Sequence, residues 1–206
     1  MYSALQGASL TLAALVRSRL ESDPVLSSFF NPGSGGTLIV SINNPQEMAL
    51  ARDEGVSLWL YRVMRDADRL NVPNPRLGPY QSRFPSLPLR LHYLITPFVS
   101  AGQANSAELE QRILGKVMQT FHDHTRFRGA DLQGDIAGST QEFQVSLETL
   151  ALEDIARVWT ALNAPYQLSV SYEVAIVYLD SEIVESVAPV RIAEPITAVI
   201  VEEGEA

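Results

Sequence analysis

The chain contains no cysteine, so it offers neither a disulfide framework nor a thiolate site. No apolar run in its 206 residues approaches the length that spans a bilayer, and we expect no direct membrane insertion. Residues 1–20 have no basic residue ahead of their apolar stretch, which argues against a signal peptide there. Apolar residues nevertheless make up 46% of the chain, enough for a hydrophobic core.

Histidine is scarce, and its placement does not indicate a metal site. His122 and His124 are two positions apart near the end of a predicted helix, where their rings point in different directions. His92 lies in a predicted strand and is interpreted as a polar-face residue. Neither a nucleophile-elbow serine nor a glycine-rich phosphate loop after a strand occurs. We therefore predict no catalytic residue, no metal, no cofactor and no enzyme activity.

The charge is acidic overall and unevenly placed. A net charge of −9 argues against a protein that binds duplex DNA, and we expect no nucleic-acid partner. Residues 62–90 hold six arginines and two aspartates, a net of +4, whereas residues 180–206 hold seven acids and one arginine, a net of −6. Two interpretations of this pattern are open. The two segments are separate solvated surfaces, or they contact each other, within a chain or between subunits.

The strongest strand pattern is QLSVSYEVAIVYLD, residues 167–180. Apolar and polar residues alternate in its first half, which predicts one apolar and one polar face. The polar face becomes apolar at Ala175, Val177 and Leu179, and this predicts a later half that is covered on both sides. We predict that Leu168, Val170, Tyr172 and Val174 face the helices containing Ile113 and Trp159.

The remaining periodicities complete a fold prediction. Strands are predicted at 37–42, 56–64, 87–95 and 143–147, and helices at 2–20, 106–122 and 152–162. Residues 71–88 hold five prolines and are predicted to be a long irregular connection. This order of elements predicts an α+β domain whose mixed, mostly antiparallel β-sheet has helices packed on one face.

The end of the chain differs from the rest. Pro189 and Pro195 exclude a helix, yet the stretch is richer in β-branched residues than a disordered tail usually is. We predict a domain over residues 1–185 and an extended acidic C-terminal arm over residues 186–206.

Two blocks of the sequence resemble a known family. The most distinctive motifs are LRLHYLITP at residues 89–97 and WTALNAPYQLSVSYEV at residues 159–174. They lie within longer similar blocks at residues 87–123 and 145–180. Both blocks resemble the N-terminal domain of the cap, or tail-terminator, protein of extracellular contractile injection systems, which are phage-tail-like particles of the antifeeding-prophage type. The resemblance covers most of residues 1–180.

This resemblance implies a structural protein that forms a ring, expected to be hexameric. The ring would end the inner tube and anchor the last sheath layer. The implied partners are further copies of the chain, the inner tube protein and the sheath protein, in a particle that is assembled in the cytoplasm and can be released from the cell. The alternatives are a regulatory module that binds a small molecule or a protein, and an enzyme with an unrecognised site.

A closed ring needs a head-to-tail interface. The basic segment and the arm supply its candidate residues, which are Arg62, Arg65, Arg69, Arg76, Arg83, Val190, Ile192, Ile196 and Val199. An arm with such apolar residues can pair with an exposed sheet edge on a neighbouring cap or on a sheath subunit.

Overall fold

The computed structural model describes residues 2–69, 73–100 and 105–187. Its α-helices are α1 (Ala4–Glu21), α2 (Ser27–Phe30), α3 (Pro45–Ala51), α4 (Ser106–Asp123) and α5 (Leu152–Ala161). Its strands are β1 (Ile39–Ser41), β2 (Gly55–Arg65), β3 (Arg76–Gly78), β4 (Gln81–Arg83), β5 (Leu87–Phe98), β6 (Arg126–Arg128), β7 (Glu142–Glu148), β8 (Val170–Leu179) and β9 (Val184–Ser186). The chain forms a main unit, residues 1–71 and 86–180, and a small unit, residues 72–85 and 181–206.

The main unit is built on a six-stranded sheet in the order β1-β2-β5-β8-β7-β6. Strand β1 pairs in parallel with β2, and every other neighbouring pair is antiparallel. The predicted α+β class, with a mixed and mostly antiparallel sheet, is confirmed.

Helices α1 and α4 pack on one face of this sheet, which we call the core face. Residues three or four positions apart along each helix form an apolar stripe that meets the apolar side of β5 and β8. The buried side chains here include Leu12, Val16, Ile113, Val117, Phe121, Leu91, Tyr93, Ile95, Tyr172 and Val174. The Tyr93 hydroxyl lies 2.9 Å from the Ser9 hydroxyl of α1, so even the polar atom of this buried ring has a partner.

The alternation of β8 changes phase partway along the strand. Leu89 pairs with Val177 and Arg90 pairs with Ala175, so Ile176 is an extra residue in a bulge. Tyr172 and Val174 face the core before the bulge, and Val177 faces it afterwards. The prediction that the later half of this strand is covered on both sides was therefore wrong. Its later apolar residue Val177 lies on the core face, which is the same face that Tyr172 and Val174 occupy before the bulge.

Helix α5 lies on the opposite face of the sheet, which carries Arg90 and His92 and which we call the network face, after the polar contacts that these two side chains make. Trp159 and Leu162 form a separate buried cluster with Leu94. Leu94 points away from the core face because its neighbours Tyr93 and Ile95 point into it. The prediction that Trp159 and Ile113 cover the same face was wrong, whereas Tyr172 and Val174 do pack with Ile113.

Helix α3 was not predicted from the sequence. Asn44 caps it by accepting a hydrogen bond from the Glu47 amide at 2.8 Å, and the Glu47 carboxylate accepts one from the Asn44 amide at 3.1 Å. Pro45 stands at the first helical position, where its missing N–H costs no hydrogen bond.

The small unit contains a three-stranded sheet in the order β3-β4-β9. Both pairings are antiparallel, so β9 extends the β3–β4 hairpin. The connection predicted to be irregular thus contains two strands. Pro75, Pro79 and Pro85 fall just outside these strands, which leaves the short ladders intact.

Candidate assembly interface

The predicted basic residues of the main unit do not share one surface. Arg62 pairs across strands with His92, whereas Arg65 pairs with Leu89. Opposed residues of an antiparallel pair lie on the same face, so Arg62 is on the network face and Arg65 on the core face. Arg69 follows in a short 3₁₀ turn, and its Nη1 atom donates to the Tyr178 hydroxyl at 3.3 Å.

The remaining predicted arginines, Arg76 and Arg83, belong to the β3 and β4 strands of the small unit. Strand β4 pairs with β9, which places Glu185 opposite Ser82. Residues 184–186 of the acidic C-terminal region therefore contact the basic hairpin of the same chain. The predicted arm residues Val190, Ile192, Ile196 and Val199 lie outside the described residues.

The small unit exposes several large apolar side chains. Leu77, Tyr80, Phe84, Ile183 and Val184 have exposed fractions between 47% and 61%. Several large apolar side chains that stay exposed on so small a unit are typical of a surface that is covered in an assembly.

The network face of the main unit carries a set of ion pairs centred on Arg90. Its Nε atom lies 3.1 Å from Asp66 Oδ2, and its Nη1 atom lies 3.1 Å from Glu173 Oε1. The Glu173 carboxylate raises the pKa of the Arg90 guanidinium above its ordinary value, and Asp66 and Asp68 act in the same direction. Asp66 is almost wholly buried, so Arg90 compensates a carboxylate that solvent does not reach.

A second set of contacts lies beside the first. His92 Nδ1 is 2.8 Å from Glu148 Oε1, and the Ser171 hydroxyl donates to Glu148 Oε2 at 2.6 Å. The Tyr61 hydroxyl lies 3.1 Å from the Ser171 hydroxyl. Burial raises the pKa of Tyr61, which keeps this phenol a neutral hydrogen-bonding group. These contacts tie together β2, β5, β7 and β8.

The ligand atoms of His92, Glu148 and Glu173 lie within 4.8 Å of one another, a spacing that a metal ion could use. Two features favour an ion-pair network instead. Each of the three groups already has a hydrogen-bond partner, and the Arg90 guanidinium at Glu173 would repel a cation. His122 and His124, at the end of α4, are not part of this cluster.

The same groups do not form a nucleophilic triad. In such a triad the histidine accepts the proton of the nucleophile and the carboxylate orients the histidine. Here Glu148 stands between Ser171 and His92, so the hydroxyl donates to the carboxylate and not to the imidazole.

A shallow groove of about 790 Å³ lies over this part of the network face. Its lining mixes both signs of charge, including Arg69, Arg90, Arg126, Asp66, Glu142 and Glu173. A shallow groove of mixed charge suits polar contact with another protein surface better than enclosure of a small apolar ligand.

The sequence profile of the Pvc16 N-terminal domain matches residues 8–192. The chain belongs to the Pvc16 N-terminal domain family. The match spans both distinctive motifs, at residues 89–97 and 159–174, and the predicted resemblance to a contractile injection system cap is confirmed. No curated protein is significantly similar to this member of the family.

Two solved structures share the fold of this Pvc16-family chain. One is the cryo-EM structure of the PVC sheath/tube terminator of an extracellular contractile injection system, in the extended state; the TM-score is 0.59 at 16% identity over 97% of this chain and 65% of that one. The other is the anti-feeding prophage tube-terminating cap, with a TM-score of 0.53 at 17% identity over 89% of this chain and 59% of that one. The chain therefore spans about three fifths of the length of these structures.

Within residues 2–69, 73–100 and 105–187, no helix combines the length and the apolar character needed to cross a membrane.

Proposed function

We propose that this chain is the ring-forming part of a cap that terminates the inner tube of a contractile injection particle and anchors its last sheath layer. The observation that carries the proposal is the family match over residues 8–192. The shared fold with a sheath/tube terminator and with a tube-terminating cap supports it. The ring contains six copies, and its other partners are the inner tube protein and the sheath protein.

In this proposal the ring joint uses the basic segment and the C-terminal arm. Arg62, Arg65 and Arg69 contribute from the main unit, Arg76 and Arg83 from the small unit, and residues 186–206 form the arm. The exposed apolar side chains of the small unit support a role for it in the joint, because assembly would remove them from water.

The proposed role is structural and not enzymatic. The chain of hydrogen bonds Ser171–Glu148–His92 supports this. In a catalytic triad the histidine lies between the hydroxyl and the carboxylate, whereas here the carboxylate lies between the hydroxyl and the histidine. The cap assembles in the cytoplasm and becomes part of a particle that can be released from the cell.

The test is co-expression with the tube and sheath proteins of the same particle. Electron microscopy of the purified chain should show six-fold rings, and particles made with it should have a narrow length distribution. Particles made without it should have tubes of uncontrolled length. The comparison variant is Leu12→Ala, in which a destabilised core should reduce capping without altering any proposed joint residue. Uncapped tubes of the same narrow length distribution would contradict the proposal.

A further inference from the structure

A second groove, of about 450 Å³, lies between the C-terminal half of α4 and strand β7. Its apolar lining comes mainly from Met118, Phe121, Val145, Leu147 and Tyr172. The Phe121 and Tyr172 rings, 5.0 Å apart between centroids, form part of it. Leu147 remains 51% exposed although it belongs to a strand of the main sheet.

Strand β7 is open along this groove. Its neighbour β6 pairs with it only as far as Arg126–Gln144, and the Val145 amide donates to the Thr125 carbonyl at 2.8 Å. Beyond Thr125 the chain enters α4, so β6 cannot continue beside Leu147. Backbone groups alternate along a strand, so the Leu147 N–H and C=O point to the same side as the Val145 amide. Within the part of the chain that the structure describes, no backbone group pairs with them there.

The opposite edge of the sheet is blocked. Strand β1 has only three residues, and the Val40 carbonyl accepts a hydrogen bond from Arg17 Nη2 at 3.0 Å. A short strand covered by a charged side chain resists addition of another strand, so β7 is the accepting edge.

The chain itself contains a segment suited to such an edge. Nineteen residues, 188–206, follow the described part of the small unit. Within them, residues 196–201 read ITAVIV, in which all but Ala198 are β-branched or threonine, the types that strands favour. Glu194 precedes this stretch and Glu202 and Glu203 follow it, whereas β6, beside the open edge, exposes Arg126 and Arg128. The charges of the two partners are complementary.

We propose that residues 196–201 of a second copy of the chain bind this groove as an added strand beside Leu147. The proposal rests on the ring proposed above and specifies its joint. Donor segment and acceptor groove are different surfaces of one chain, so every copy gives one strand and receives one. Such a head-to-tail contact closes into a ring when the rotation allows it.

The test uses one acceptor variant and one donor variant of the full chain. Leu147→Pro removes the N–H that points to the open edge, and Leu147→Val is the matched control that keeps both the N–H and an apolar side chain. Pairing of β7 with β8 should survive, because Ser146 and Glu148 supply the amides for that ladder. The donor variant lacks residues 196–206, and its control lacks only residues 203–206.

Sedimentation should show that Leu147→Pro and the longer deletion each raise the concentration for half-dissociation about tenfold or more, whereas both controls stay near wild type. Mixing the two variants supplies one intact donor and one intact acceptor. The mixture should therefore form one-to-one heterodimers and no rings. If Leu147→Pro fails to fold by circular dichroism, Met118→Glu in the groove wall takes its place.

Normal rings from both variants would overturn the groove proposal and leave the ring proposal standing. A wild-type chain that stays monomeric, also with tube and sheath present, would overturn the ring and its joint together. Dimers that form equally well between two copies of the deletion variant would show a different joint and also overturn the groove proposal.

Discussion

The two faces of the six-stranded sheet are built from different chemistry. The core face buries an almost continuous apolar layer beneath α1 and α4. The network face carries ion pairs around Arg90, a hydrogen bond between His92 and Glu148, and only a small apolar cluster around Trp159. Strand β5 contributes to both faces, because Leu91 and Tyr93 point one way and Arg90 and His92 the other.

This difference indicates a division of roles. Apolar burial stabilises the fold in proportion to the area removed from water, whatever the detailed partners. A buried ion-pair network contributes little net stability but strongly penalises an arrangement in which one partner is missing. We therefore expect the core face to determine stability and the network face to fix the register of β2, β5, β7 and β8.

The largest effect is expected on the core face. Phe121→Ala should lower the free energy of unfolding by about 3–5 kcal/mol, because it removes a buried ring that packs against Tyr172. Urea unfolding followed by circular dichroism measures this. The matched control is Phe84→Ala, at a side chain that is 49% exposed, where a change within about 0.5 kcal/mol is expected. Equal losses for the two variants would contradict the assignment of the core.

On the network face, Arg90→Met should cost about 2 kcal/mol. Asp66 would then be a buried carboxylate without its charge partner, and the cost stays below that of a fully buried pair because the Arg90 side chain is 36% exposed. Combining Arg90→Met with Asp66→Asn should recover part of this loss. A double-mutant cycle by urea unfolding measures the coupling. Strict additivity of the two changes would show that Asp66 does not depend on Arg90.

Much of the core face could be predicted from the sequence, because helix and strand periodicities describe one element at a time. The stripes of α1 and α4 and the alternation of β5 were sufficient for that face. The phase change at Ile176 was not predictable, since a bulge depends on the register with β5. Val174 before the bulge and Val177 after it face the same side of the sheet, although residues three positions apart in a regular strand face opposite sides.

Two missed features did have a signal. Leu94 is apolar between His92 and Thr96 on the otherwise polar side of its strand, and this indicated a second cover, which α5 supplies. Asn44 and Glu47 flank Pro45 in the pattern of a capping box, which indicated the start of α3. The ion-pair network had no comparable signal. Its members come from β5, β7, β8 and the end of β2, and only the strand order brings them together.

A smaller effect is expected at the outer edge of the core face, where Asp23 joins the end of α1 to α4. Its carboxylate lies 3.0 Å from Lys116 Nζ and accepts hydrogen bonds from the Val25 and Leu26 amides. Desolvation raises the pKa of Asp23, but the two amides and Lys116 outweigh it, and the net pKa is lowered. A lowered pKa in the folded state means that this stabilisation is present above the unfolded pKa of about 4 and is lost as the pH falls through the folded value.

Asp23→Ala should therefore cost about 1 kcal/mol at pH 7, and the difference from wild type should shrink as the pH falls below about 4. Urea unfolding at a series of pH values measures this. The control is Glu108→Ala, which removes an exposed helical ion pair with Arg112 and should change stability by no more than about 0.5 kcal/mol. A cost for Asp23→Ala that stays constant down to low pH would contradict a role for the ionised carboxylate.

The smallest effects are expected at Arg62 and Arg65, which sit three positions apart on β2 but on opposite faces of the sheet. Both side chains are exposed, so Arg62→Ser and Arg65→Ser should each change the free energy of unfolding by no more than about 0.5 kcal/mol. Each should weaken assembly by no more than about 1 kcal/mol, with a smaller effect at high salt. Sedimentation of both variants at two salt concentrations measures this. Because the two arginines cannot contact the same flat surface, only one of the variants should weaken assembly measurably if a single flat interface covers this strand. A loss confined to Arg62→Ser would place the interface on the network face, and one confined to Arg65→Ser would place it on the core face. Equal losses in both variants would contradict a single flat interface and would require a partner that wraps around the end of β2.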